Sequence, residues 1–181
     1  MLKKGRGQTQ PLQDAFVWDG NVFFSRELAL AGYERPEPTG ETAAADAFLE
    51  NSRANLKEVT GWLEAHPDTD FIFFFSPYSI LFWDMEHRKG ETDALLYMLE
   101  DTAEQLLDYP NVKLFYYQNI EEIVTDLNNY KDYSHYSSDV NRYIVRSMRE
   151  GTHQMTKENY RAEFQRMKDL AENFDYEQFF Q

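Results

Sequence analysis

The chain has 181 residues, 42% of them hydrophobic and 16% aromatic, with 32 acidic against 18 basic side chains and a net charge of −14. That length and apolar content suit one domain with its own core, and the acidic balance argues against a nucleic-acid partner or an anionic membrane. The absence of cysteine excludes a disulfide framework, thiolate metal sites and a cysteine nucleophile, and no run approaches the roughly 20 apolar residues of a membrane span.

Met1–Pro11 is basic and polar and reads as a flexible tail without the apolar stretch of a secretory signal. Residues 14–33 hold an aromatic patch around Phe16, Val17, Trp18, Val22, Phe23 and Phe24, and Ser25 reads as a helix cap. Glu34–Thr42, with Pro36, Pro38 and Gly40, is a loop by its punctuation. Residues 1–42 are thus expected to be a tail and aromatic lead-in, ahead of a domain over 43–181. From Ala43 to Ala65 the stripe Phe48, Ser52, Leu56, Val59, Leu63 predicts an amphipathic helix. His66-Pro67 ends it, because the residue before proline avoids the helical region. Asp70–Phe75 carries an apolar run without alternation, the pattern of a strand covered on both faces.

Glu91–Leu107 predicts a second helix, broken at Tyr109-Pro110-Asn111, and Val112–Tyr117 a second strand. Strand, helix, strand is a βαβ unit with parallel strands. A short helical piece over Ile120–Val124 and an irregular stretch to Tyr136 follow. A helix over Ser137–Glu150 stops at Gly151, and a last helix opens at Thr156 as capping residue. Two strands do not make an independently stable sheet. Either the patch near Trp18 supplies another, or the sheet is completed by a chain region not present or by a second copy. Open sheet edges invite such pairing, so a homodimer is expected.

Two segments fall just beyond strand ends, where open α/β sheets put their ligands. They are Ser76–Asp84 and Asp126–Tyr136. In the second, Asp132 and His135 are spaced so that one tight turn delivers both groups. A carboxylate on one ring nitrogen fixes the tautomer of an imidazole and stabilises the imidazolium, which lets the other nitrogen act as a general base. By spacing alone, an Asp that caps the amides of its own turn is the commoner origin of such a pair.

The strings Phe73-Phe-Phe-Ser-Pro-Tyr-Ser79 with Trp83, Asn111-Val-Lys-Leu-Phe115, Asp126-Leu-Asn-Asn-Tyr-Lys-Asp-Tyr-Ser-His-Tyr136 and Met155–Tyr160 are informative together. With them the run from Ala45 to Phe180 resembles bacterial SGNH-like proteins of the SGNH/GDSL hydrolase group. The resemblance implies an α/β fold of three α/β/α layers around a mostly parallel, flavodoxin-like sheet, incomplete on its N-terminal side. It implies ester hydrolysis or acyl transfer through a serine, with Asp132 orienting and His135 acting as base and then acid. The substrate would be a small-molecule or glycan ester, and members of the group are extracytoplasmic or membrane-anchored.

The chain departs from that pattern where the nucleophile should lie. No Gly-Asp-Ser type turn follows an early strand, and Ser25 lacks the glycine of a tight elbow. No Gly-x-Asn motif offers an oxyanion donor. Ser76 and Ser79 read as turn residues lining a cleft. Tyr78, Ser79, Trp83 and Tyr136 are the expected substrate contacts, and Tyr130 and Tyr133 could extend that aromatic wall. His87 and His153 have no ligand-spaced partners, so no metal is expected, and no cofactor. The rival expectation is a non-catalytic binding or assembly domain that keeps the fold.

Overall fold

The structure, a computed structural model, describes residues 23–180. The apolar run forms strand β1 (Phe71–Phe75), and β2 (Val112–Tyr116) pairs with it in parallel, Phe71 opposite Val112 and Phe75 opposite Tyr116. A third strand unforeseen in the sequence, β3 (Gln154–Met155), pairs antiparallel to β2, giving the order β1-β2-β3. At two residues β3 is too short for any alternation to reveal it.

Helices α1 (Arg26–Ala31) and α2 (Leu49–Ala65) precede β1. Helices α3 (Ile80–Lys89) and α4 (Thr92–Leu106) connect β1 to β2. After β2 come α5 (Glu121–Val124), α6 (Ser138–Glu150) and α7 (Tyr160–Asn173), the last two flanking β3. Among the described residues, no helix is long and apolar enough to cross a membrane.

The two faces of the sheet are unequally covered. Leu114 and Tyr116 point into the main core with residues of α2, α3, α4 and α7. On the other face Phe115 and Tyr117 pack with Val140 and Ile144 of α6. That helix lies over β2, so β1 is not sealed on both faces as its sequence suggests. Ile72 and Phe74 are exposed, while Phe71, Phe73 and Phe75 are half-buried against the core.

Several boundaries move for identifiable reasons. Helix α2 starts at Leu49 rather than Ala43, because the chain before it is laid along the end of α3. Thr39 N–H donates to the Arg88 carbonyl at 3.0 Å and Ala43 N–H to the Gly90 carbonyl at 2.9 Å. Gly90 caps α3 in the left-handed region at φ 71°, and a Cβ there would stand 1.9 Å from the Glu41 carbonyl oxygen. In the stretch Ser76–Asp84 the turn expected around Ser76 and Ser79 gives way to a helix at Ile80. At the last helix the cap is Asn159 and not Thr156. Asn159 Oδ1 accepts from Thr156 N–H at 2.7 Å, and the first helical residue is Tyr160.

Of the aromatic lead-in, Phe16, Val17, Trp18 and Val22 lie outside the described residues. Phe23 and Phe24 form no strand. Ser25 caps α1 as expected, its Oγ accepting from Leu28 N–H at 3.2 Å. The rest of the lead-in is part of the packed unit, since Ala29 and Tyr33 join the main core.

Candidate functional site

The loop after β1 and the loop before α6 are tied to each other. Ser79 donates twice to the Tyr133 carbonyl, from its N–H at 3.0 Å and from its hydroxyl at 2.9 Å. The Tyr130 hydroxyl donates to the Pro77 carbonyl at 2.7 Å, and burial pushes that phenol above its ordinary range. The second loop closes on itself through an antiparallel bridge between Tyr130 and Tyr136 and a bond from Lys131 N–H to the His135 carbonyl at 3.1 Å. Asp132 and His135 are thereby held beside the segment that leaves the C-terminal end of β1, the place where ligands of open α/β sheets bind.

Within that loop one carboxylate serves two purposes. Asp132 Oδ1 accepts the backbone N–H groups of Ser134 at 2.9 Å and His135 at 2.8 Å, capping the turn. The His135 ring is turned so that Nδ1 lies 2.8 Å from Oδ2 and 3.0 Å from Oδ1. Partial burial raises the Asp132 carboxyl, but the two amides and the imidazole outweigh it and hold the group below its ordinary 3.8. With Nδ1 donating to the carboxylate, Nε2 carries the free lone pair. The His135 side chain is 62% exposed, and among the described residues nothing bonds Nε2.

No serine of the described chain is hydrogen-bonded to that nitrogen. Ser134 Oγ lies 3.2 Å from Nδ1, the wrong side of the ring. Ser25 caps α1, Ser52 meets Thr102 at 3.1 Å, and Ser147 bonds Tyr117 at 2.7 Å. Ser79 is fully buried with its hydroxyl committed to Tyr133.

The expected aromatic wall is therefore divided. Trp83 and Ser79 have no exposed surface, which corrects their expected role as substrate contacts. Ser79 instead tethers the Tyr133 carbonyl, and Trp83 lies in the main core. Tyr78 is half-buried and leans on Phe82 with ring centroids 4.8 Å apart. Tyr136 is half-buried between the two core clusters and Tyr133 is 37% exposed, so these three rings keep accessible surface.

The remaining histidines lie elsewhere. His66 caps the C-terminus of α2, as expected, and His87 stacks on Tyr176 with centroids 6.1 Å apart. His153 Nε2 is 2.6 Å from the Tyr143 hydroxyl, and its backbone is left-handed at φ 62° where the chain turns from α6 into β3. Among the described residues no group of three or more His, Asp or Glu could hold a metal ion.

Sequence reasoning reached Asp132 and His135 because their pairing is local. It missed the Ser79–Tyr133 tether, a backbone carbonyl bond that no side-chain pattern encodes. Scans against protein-family models and searches of curated proteins and of solved structures returned no match.

Proposed function

We propose that this chain carries the acid–base pair of an SGNH-type ester hydrolase or acyltransferase with three α/β/α layers, the hydroxyl nucleophile being brought by a segment outside the described residues. The observation that carries the reading is the Asp132–His135 pair, with Nδ1 on the carboxylate at 2.8 Å and Nε2 open to solvent beyond the end of β1. In this role Asp132 positions the ring and supports the imidazolium. His135 takes the proton of the attacking hydroxyl and returns it to the leaving alkoxide. Tyr78, Tyr133 and Tyr136 would border the acyl ester, of the class found on cell-envelope glycans or lipids.

A second reading, a binding domain without chemistry, is favoured by one observation. Asp132 already has a structural task in capping its own turn. Hydrolysis of p-nitrophenyl acetate separates the two. An Asp132-steered imidazole should hydrolyse this activated ester above the solvent rate, with a loss of about 10²-fold or more in His135→Ala and a smaller loss in Asp132→Asn. Equal rates for all three proteins would assign the domain to binding.

A further inference from the structure

Among the described residues, strand β1 is the edge of the sheet, with no strand paired to its outer side. In the parallel ladder Phe71 N–H donates to the Asn111 carbonyl at 2.8 Å and the Phe75 carbonyl accepts from Tyr117 N–H at 3.2 Å. Phe71, Phe73 and Phe75 thus spend their backbone groups on β2. The alternation of a strand then turns the N–H and C=O of Ile72 and Phe74 outward, and among the described residues no backbone group outside the ladder meets them. The side chains of the same two residues are 55% and 41% exposed. An apolar edge with free donors and acceptors is a template for another strand.

We propose that two copies of this chain pair through β1, antiparallel about a twofold axis at Phe73, so that two three-stranded sheets become one. The register selects a second copy as the occupant. An axis at Phe73 sets Ile72 opposite Phe74 of the other copy and Phe71 opposite its Phe75, so every cross-strand pair is apolar. Each Ile72–Phe74 pair exchanges both N–H···O=C bonds, and the same strand serves both sides, as a closed twofold interface requires.

Charge points the same way. At a net charge of −14 most approaches of two copies oppose like charges. The stretch from Phe71 to Ser79 holds no charged side chain, and the Asp70 carboxylate at its start is matched by Lys113 Nζ at 2.8 Å. Pro77, which has no N–H to give, ends the pairing just past the strand. The antiparallel arrangement sends the two Asp132–His135 loops to opposite ends of the joined strands.

Sedimentation equilibrium of the full chain tests this. The expected mass is twice 21.5 kDa, about 43 kDa, falling to 21.5 kDa in a double variant Ile72→Lys, Phe74→Lys. Tyr97→Lys, at an exposed ring on α4, should leave the mass doubled. Hydrogen exchange needs no variant to fold, and the Ile72 and Phe74 amides should slow as concentration rises. A wild-type mass of 21.5 kDa throughout overturns the proposal, as does a dimer that survives the double variant. Amides protected in a monomer would also overturn it, assigning the edge to another part of the same chain.

Discussion

Asp132 shows how a residue's charge state is linked to the loop it organises. Its folded pKa is depressed, so the carboxylate contributes stability that is complete above its unfolded value and disappears as the pH falls through the lower, folded one. The relevant window lies below about pH 4. Replacing Asp132 by Ala removes the turn cap and the ring partner together and should cost about 1–2 kcal/mol at pH 7. In urea titrations the gap between wild type and variant should narrow from pH 5 to pH 3 as the wild-type carboxyl protonates. A gap that stays constant over that range would mean that the carboxylate's charge is not what holds the loop.

Elements show which parts of a sequence speak for themselves. Helix α6 was legible at both ends, because Ser137 caps it by accepting from Val140 N–H and Gly151 closes it at φ 72°. Helix α3 was not. It opens Ile80-Leu81-Phe82-Trp83 and then buries Asp84 and Glu86 as well, so it lacks the polar face that makes a helical period visible. Asp84 is buried only because partners from distant segments meet it. Arg35 Nε and Nη2 donate to its carboxylate at 2.7 and 3.0 Å, and the Tyr33 hydroxyl donates at 2.9 Å.

The two left-handed glycines that cap α3 and α6 offer a paired measurement. Nothing lies within 4 Å of a Cβ at Gly151, so Gly151→Ala should cost only the backbone penalty of about 1–2 kcal/mol. Gly90→Ala carries the same penalty and also drives a methyl into the Glu41 carbonyl. It should cost clearly more in thermal or urea unfolding, and the 39–43 segment must shift. Equal costs would show that this segment gives way freely.

For the molecule as a whole, the class of the fold was readable and its extent was not. The non-alternating apolar run announced a parallel strand, and the break at Pro110 announced the return to β2. What the sequence concealed is that α6 covers β2 and, among the described residues, leaves one face of β1 exposed at Ile72 and Phe74, an outcome decided by packing between segments far apart in the chain. The candidate site divides in the same way. Asp132 and His135 lie within one turn and are singled out by their spacing together with the resemblance, whereas the burial of Ser79 and Trp83 depends on the whole core.

The Arg35 guanidinium that neutralises Asp84 also meets Glu177 at 2.7 Å and lies 4.2 Å from the Phe180 ring. Arg26 reaches the Gln178 carbonyl at 3.4 Å and stands over Phe179. The arm ahead of α2 and the turn after α7 are therefore one clasp. A protein shortened to end at Phe174 should be cut by trypsin after Arg26 about tenfold faster than the full chain, since cleavage tracks the population of the opened arm. Digestion at an unchanged rate would mean that the amino-terminal arm is secured without its carboxy-terminal counterpart.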